Sequence, residues 1–248
     1  MAWTSTETFC VHPDLPAYEE RFREAVHDFW AVRSDQAEHQ RLKGKLDAGT
    51  RGAVTGGKHL DGVAVLIADV FTDAGIPPVG NYRVLPGYYR LSKNWDVVVT
   101  YRGAIVAIIE LKSQVGSFGN NCNNRIEEMV GQSLDLRRAA REGRFGEIPP
   151  WFGYLMLLES SPASYEPHPL PTMAYPADDV FADASYIDRY RVALQRLRLE
   201  GDVDAVCLVT SNRDGDLVGY PDRTMTFTAF AAAIQARVSS ILAMLGSG

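Results

Sequence analysis

The sequence is poor in lysine, with five in 248 residues, and poorer in cysteine, with three. Cys10, Cys122 and Cys207 are odd in number and far apart, which excludes a disulfide framework and suits a reducing cytoplasm. Long apolar runs are also missing. Stretches such as 63–68 and 104–109 are far too short to cross a bilayer, so no membrane partner is expected. No basic-then-apolar leader precedes Trp3 or Phe9, and export is not expected. His12, His27, His39, His59 and His168 are scattered without metal-ligand spacing, and the cysteines form no zinc pattern. Positive charge is in deficit: 25 Lys plus Arg stand against 31 Asp plus Glu, a formal net charge of -6. At first sight this argues against a nucleic-acid partner, because binding to a polyanion rests on Lys and Arg.

What is there modifies that impression. Hydrophobic residues make up 46% and charged residues 23%, the balance of an ordinary globular protein with a sizeable core. The charge is unevenly spread. Residues 1–32 carry -4, 59–82 carry -3 and 145–248 carry -6, whereas 33–58 carry +3 and 83–144 carry +4. Two basic stretches therefore lie inside an acidic chain, either as solvated helix faces or as contacts to an anion.

Hydrophobic periodicity sets the organisation. Tyr18, Phe22, Ala25, Val26, Phe29 and Trp30 recur at helical spacing, predicting one or two helices over about 16–46. Residues 60–74 read as a buried helix stopped by Gly75 and by Pro77 and Pro78. Residues 96–101 and 104–111 read as two apolar strands joined by an Arg102-Gly103 turn, as in a central sheet covered on both faces. Asn120 to Asn124 reads as a polar break, followed by a helical stripe of Ile126, Met129, Val130, Ser133 and Leu134. A buried strand at 151–158 and a proline-rich crossing at 160–178 come next. A helix at 186–200, a strand at 203–210 and an amphipathic helix at 227–245 complete the order. The expected fold is a single α/β domain with a central mixed sheet flanked by helices. Its parts would be helical at about 1–80, a core at about 81–212 and a last helix at about 226–245.

The hairpin carries the chemistry. Asp96 opens its first strand, and Glu110-Leu111-Lys112 closes the second. Residues two apart on a strand face the same side, so Glu110 and Lys112 project together. The turn returns the second strand along the first, bringing Asp96 level with Glu110. Two adjacent carboxylates repel unless a cation lies between them, and Mg²⁺ prefers such hard oxygen ligands. A lysine beside that cation orients a water and neutralises charge on a phosphate, which phosphodiester hydrolysis needs. Lys112 is the only lysine with an acid two positions before it. The bland alternative is an ion pair at a strand end.

An Asp, thirteen intervening residues and Glu-x-Lys across a hairpin resemble the PD-(D/E)xK nuclease core. The run from Glu110 through Gly116 and Ser117-Phe118-Gly119-Asn120-Asn121 to Asn123-Asn124-Arg125 and Glu127-Glu128 resembles the XhoI family of type II restriction endonucleases. So do Gly56-Gly57-Lys58-His59-Leu60-Asp61, Trp151-Phe152-Gly153-Tyr154-Leu155, Glu166-Pro167-His168 and Ala184-Ser185-Tyr186. The likeness spans roughly 30–220. It implies a homodimeric, Mg²⁺-dependent endonuclease that cuts double-stranded DNA at CTCGAG and leaves 5′ overhangs, paired with a methyltransferase in a restriction-modification system. Asp96 and Glu110 would then ligate the metal and Lys112 would position the water. Trp95 stands where the motif's Pro is usual.

Asn120, Asn121, Asn123, Asn124 and Arg125 stand as DNA contacts, since Asn pairs with adenine and Arg with guanine in the major groove. They read equally as a turn and helix cap just before a helix. Glu127 and Glu128 then fall in that helix's first turn and, with Gln114, form a second rank of site residues. Residues 52–58 match G-x-x-x-x-G-K, but His59 replaces the Ser or Thr that would hold Mg²⁺, and no apolar strand precedes them. A loop whose Arg51 and Lys58 touch DNA phosphates fits better. Tyr88, Tyr89 and Trp95 read as core or hairpin packing. Two other functions remain compatible with the residues: a structure-specific repair or recombination nuclease on this core, and a DNA-binding module without catalysis.

Overall fold

The computed structural model describes residues 15–42, 58–77 and 83–246, with side chains for 15–34, 59–77 and 83–246. A single helix α1, Leu15–Leu42, buries the predicted stripe of Tyr18, Phe22, Val26, Phe29 and Trp30. A short turn of 3₁₀ helix at Lys58–Leu60 leads into α2, Asp61–Asp73, which ends where Gly75 takes a φ of 108°.

A two-stranded hairpin follows, β1 Val84–Pro86 and β2 Ser92–Asn94, which periodicity did not predict because its strands have three residues each. The main sheet begins with β3, Val97–Tyr101, and β4, Ala104–Gln114. Arg102 and Gly103 both have positive φ, at 49° and 82°, as a two-residue hairpin turn matched to strand twist requires. Helix α3, Phe118–Arg141, crosses to β5, Trp151–Glu159, which lies parallel to β4. After the one-turn helix α4, Pro162–Tyr165, and a 3₁₀ turn, α5, Tyr186–Leu199, crosses to β6, Ala205–Ser211. The short β7, Val218–Gly219, closes the edge and α6, Phe227–Leu245, ends the described chain. The order β3-β4-β5-β6-β7 is mixed: β4, β5 and β6 run parallel, and β3 and β7 run antiparallel to their neighbours.

Alternation sorts the core into two layers. Val97, Val99, Ala107, Ile109, Leu111, Leu155 and Cys207 face α1, α2 and α6. Val98, Ile108, Phe152, Tyr154, Met156 and Leu208 face α3 and α5. Both crossovers step the same way along the sheet, so a fixed crossover hand puts both helices on one face. By length and composition α6 could span a bilayer. Its Phe227, Phe230, Ala231, Ile234, Val238 and Ile241 are buried against the sheet and α1, so one face of it packs into the core. The fold is the mixed α/β architecture expected from the sequence.

Two details differ. The Asn run is no break: α3 begins at Phe118, so Asn120, Asn121, Asn123 and Asn124 lie in its first two turns. Gly116 and Ser117, with φ of 63° and 48°, make the bend that the asparagines were expected to make. Asn121 Nδ2 donates to the Ser117 carbonyl at 3.2 Å, a bond made within the helix. The buried stripe of α3 is also rotated. Cys122, Met129, Gln132, Ser133, Leu136 and Ala139 face inward, while Val130 and Leu134 are exposed.

Candidate active site

Strand pairing builds the site. Val97 pairs with Ile109, so Asp96, one residue before β3, lies level with Glu110. The Asp96 carboxylate is held there, since its Oδ2 accepts the Leu111 N–H at 2.7 Å. Glu110 is only 1% exposed. Its Oε1 accepts a hydrogen bond from Lys93 Nζ at 2.7 Å and forms an ion pair with Lys112 Nζ at 2.5 Å. Its Oε2 is buried and has no hydrogen-bond partner among the described residues. The predicted trio of Asp96, Glu110 and Lys112 is thus brought together.

Lys93 is the residue the sequence reading missed. It sits on β2, with its ammonium 4.6 Å from the centre of the buried Trp95 ring. Only its nearness in sequence to Asp96, together with the scarcity of lysine, could have pointed to it.

The electrostatics follow from burial and crowding. Burial, then the negative charge of Glu110, pushes the Asp96 carboxyl above its usual range, against the Leu111 N–H and the two lysines. Burial lowers Lys93, and Glu110 opposes that shift. Tyr154 pairs in register with Glu110 on the neighbouring strand, and its hydroxyl is also buried without a partner among the described residues. Burial, with Glu110 and then Glu128 beside it, holds that phenol far above its usual range.

Two hard carboxylates, one with a buried and unpaired oxygen, suit a small dication. No group of three or more His, Cys, Asp or Glu placed to hold a metal occurs among the described residues.

A polar cleft of about 470 Å³ opens just beyond Lys112. It is lined by Arg33, Ser113, Gln114, Val115, Ser117, Asn120, Asn121 and Arg125. The expected contacts Asn120, Asn121 and Arg125 line it, and so does Gln114. The Gln114 side chain is buried and its Nε2 donates to the Gly116 carbonyl at 2.5 Å, fixing the turn into α3. Asn123 and Asn124 are exposed and do not line the cleft.

Glu127 and Glu128 lie in the third turn of α3, not the first, because the helix starts earlier than expected. The macrodipole account of their placement therefore falls. Glu128 pairs with Arg125 at 2.7 Å, while Glu127 is exposed. Arg51 lies outside the described residues, and Lys58 is described in its backbone alone. Trp95 is core, as expected, and Tyr88 and Tyr89, though exposed, pack edge to face in the β1–β2 hairpin with ring centres 4.8 Å apart.

Arg33 on α1 is a second residue that was missed. Burial and the neighbouring Arg213 lower its guanidinium, against the pull of Glu159. Glu159 is buried at the end of β5. Its carboxylate accepts the Gly116 N–H at 2.7 Å and Arg213 Nε at 2.5 Å.

Comparison with known proteins identifies the family. The family described as restriction endonuclease XhoI matches residues 39–220. The type II restriction enzyme BstVI of Geobacillus stearothermophilus is 38% identical over 218 residues, covering 81% of this chain and 96% of its own length. The type II restriction enzyme XhoI of Xanthomonas vasicola is 39% identical over 196 residues, 76% of this chain and 78% of its own. The type II restriction enzyme AbrI of Azospirillum brasilense is 42% identical over 158 residues, 61% of this chain and 71% of its own. No solved structure matches. A match over most of the chain, to a family whose members are restriction enzymes, joins a hairpin that carries Asp, Glu and Lys at one point: this chain belongs to the XhoI family of type II restriction endonucleases.

Proposed function

We propose that the protein is a Mg²⁺-dependent endonuclease that cuts double-stranded DNA at the palindrome CTCGAG and leaves 5′ overhangs. It would act in the cytoplasm as a homodimer, one protomer per strand, beside a methyltransferase that protects the same site. The observation that carries the reading is the meeting of Asp96, Glu110 and Lys112 at one end of the β3–β4 hairpin.

Asp96 and Glu110 would hold the Mg²⁺, which when bound polarises the scissile phosphate and acidifies a water. The rest falls to the chain. The Leu111 N–H fixes the Asp96 carboxylate, and the ammonium groups on Oε1 fix Glu110 with Oε2 facing away from them. Lys112, with a half-buried ammonium, orients the attacking water and offsets charge gathering on the phosphoryl oxygens. Arg33, Arg125, Asn120 and Asn121 receive the duplex in the cleft beyond Lys112.

The test is a digest of sequenced plasmid DNA with purified protein and Mg²⁺, with mapping of the fragment ends. Discrete fragments ending within CTCGAG, lost with EDTA and in Glu110→Ala and Lys112→Ala, are expected. Cuts at junctions or flaps without fixed sequence would indicate a structure-specific nuclease instead. Binding that ignores EDTA, with no cleavage, would indicate a DNA-binding module.

A further inference from the structure

Beyond helping to fix Glu110, the second lysine of the site takes no part in the chemistry above. Lys93 reaches Glu110 from a different element, the hairpin β1–β2, and bears on the same oxygen as Lys112. Its side chain is 14% exposed, against 23% for Lys112. Lys93 donates a hydrogen bond to Oε1, and Lys112, two residues along the same strand, pairs with that oxygen by charge. Besides its hydrogen bond, Lys93 brings the cluster a second positive charge.

Two carboxylates and two ammonium groups leave the cluster of Asp96, Glu110, Lys93 and Lys112 electrically neutral. With Lys112 alone the same pair would be net negative. A fixed positive charge beside two oxygens repels a dication twice as strongly as it would a monovalent ion, and burial limits screening by salt.

We propose that Lys93 is a resident counter-cation that keeps the carboxylate pair neutral and holds down the affinity of the free protein for a divalent metal. The proposal rests on the metal-dependent reading of this site. Its consequence is that an incoming phosphodiester supplies the negative charge the neutral cluster lacks, favouring metal retention when DNA is present.

Mn²⁺ binding to the DNA-free protein, followed by electron paramagnetic resonance of the free ion, tests this without any cleavage. Lys93→Met keeps the apolar stem against Trp95 and removes the charge, so it should bind Mn²⁺ tenfold or more tightly than the wild type. Lys93→Arg, which restores the charge, should return to wild-type affinity. Thermal melts of each variant confirm that the fold is kept.

Equal or weaker binding by Lys93→Met overturns the proposal. The double variant Lys93→Met with Glu110→Gln separates the two readings. Loss of the tightened binding places the ion at these carboxylates. Retention of that binding overturns the metal assignment of Glu110, and the role of Lys93 with it.

Discussion

At the scale of single residues, the site sets two lysines against one carboxylate oxygen. Lys112 shares strand β4 with Glu110, so its position follows from the two-residue repeat and is visible in the sequence. Lys93 comes from a separate hairpin whose strands are too short to show a period, and its partner lies 17 residues away. That is why one lysine was legible and the other was not. Replacing Lys112 by Met leaves Lys93 on Glu110, so the carboxylate stays in place and the protein should still bind its DNA. Only the group proposed to orient water and offset developing charge is lost. Cleavage should therefore fall by about 10²- to 10³-fold with little change in DNA affinity. Single-turnover cleavage and fluorescence anisotropy, measured side by side, check this. A matching loss of affinity would mean that Lys112 acts in binding and not in the chemical step.

At the scale of elements, the hairpin that delivers Lys93 is held by one buried carboxylate on α3. Asp135 Oδ1 accepts the N–H groups of Tyr88 and Tyr89 at 2.9 and 2.6 Å, and its Oδ2 lies 2.9 Å from Arg90 Nε. Gly87 completes the fit, since a Cβ there would stand 2.5 Å from Asp135 Oδ2 and 2.8 Å from the Arg90 carbonyl. Asp135→Ala would leave two N–H groups without their acceptor and the Arg90 guanidinium without its ion-pair partner. It should cost about 2–4 kcal/mol of stability, read by urea denaturation. Because the loop leads into β2, the variant should also move Lys93 and lower cleavage beyond what the lost stability explains at temperatures where the protein is folded. Unchanged cleavage at such a temperature would show that Lys93 is placed by Trp95 and Glu110 alone. The long elements were legible because α1, β4 and β5 are periodic or continuously apolar over many residues. The start of α3 was not, since asparagines that favour turns are carried inside a helix whose bend is made earlier by Gly116 and Ser117.

At the scale of the molecule, the net charge of -6 is compatible with a DNA substrate because of where the charge lies. The basic segment 83–144 forms β1 through β4 and α3, which hold the carboxylates, both lysines and one wall of the cleft. The acidic segment 145–248 forms the rest of the sheet with α5 and α6. Cations are thus concentrated where a phosphate backbone would lie, while the remainder repels DNA at other surfaces. Non-specific affinity should be modest and confined to this cleft. Each phosphate neutralised contributes about -0.9 to the slope of log affinity against log salt concentration. Arg33 lines the cleft half-buried, while the nearby Arg213 is neutralised by its ion pair with Glu159, so Arg33 is the cation there for a phosphate to meet. Arg33→Ala should weaken binding to all sequences alike and flatten the slope by about one for each protomer on the duplex, without changing which sites are cut. Anisotropy titrations in EDTA over a range of salt concentrations measure this directly. A slope that stays the same would show that the duplex does not run past α1, and that the basic cleft serves some other purpose than holding the DNA backbone.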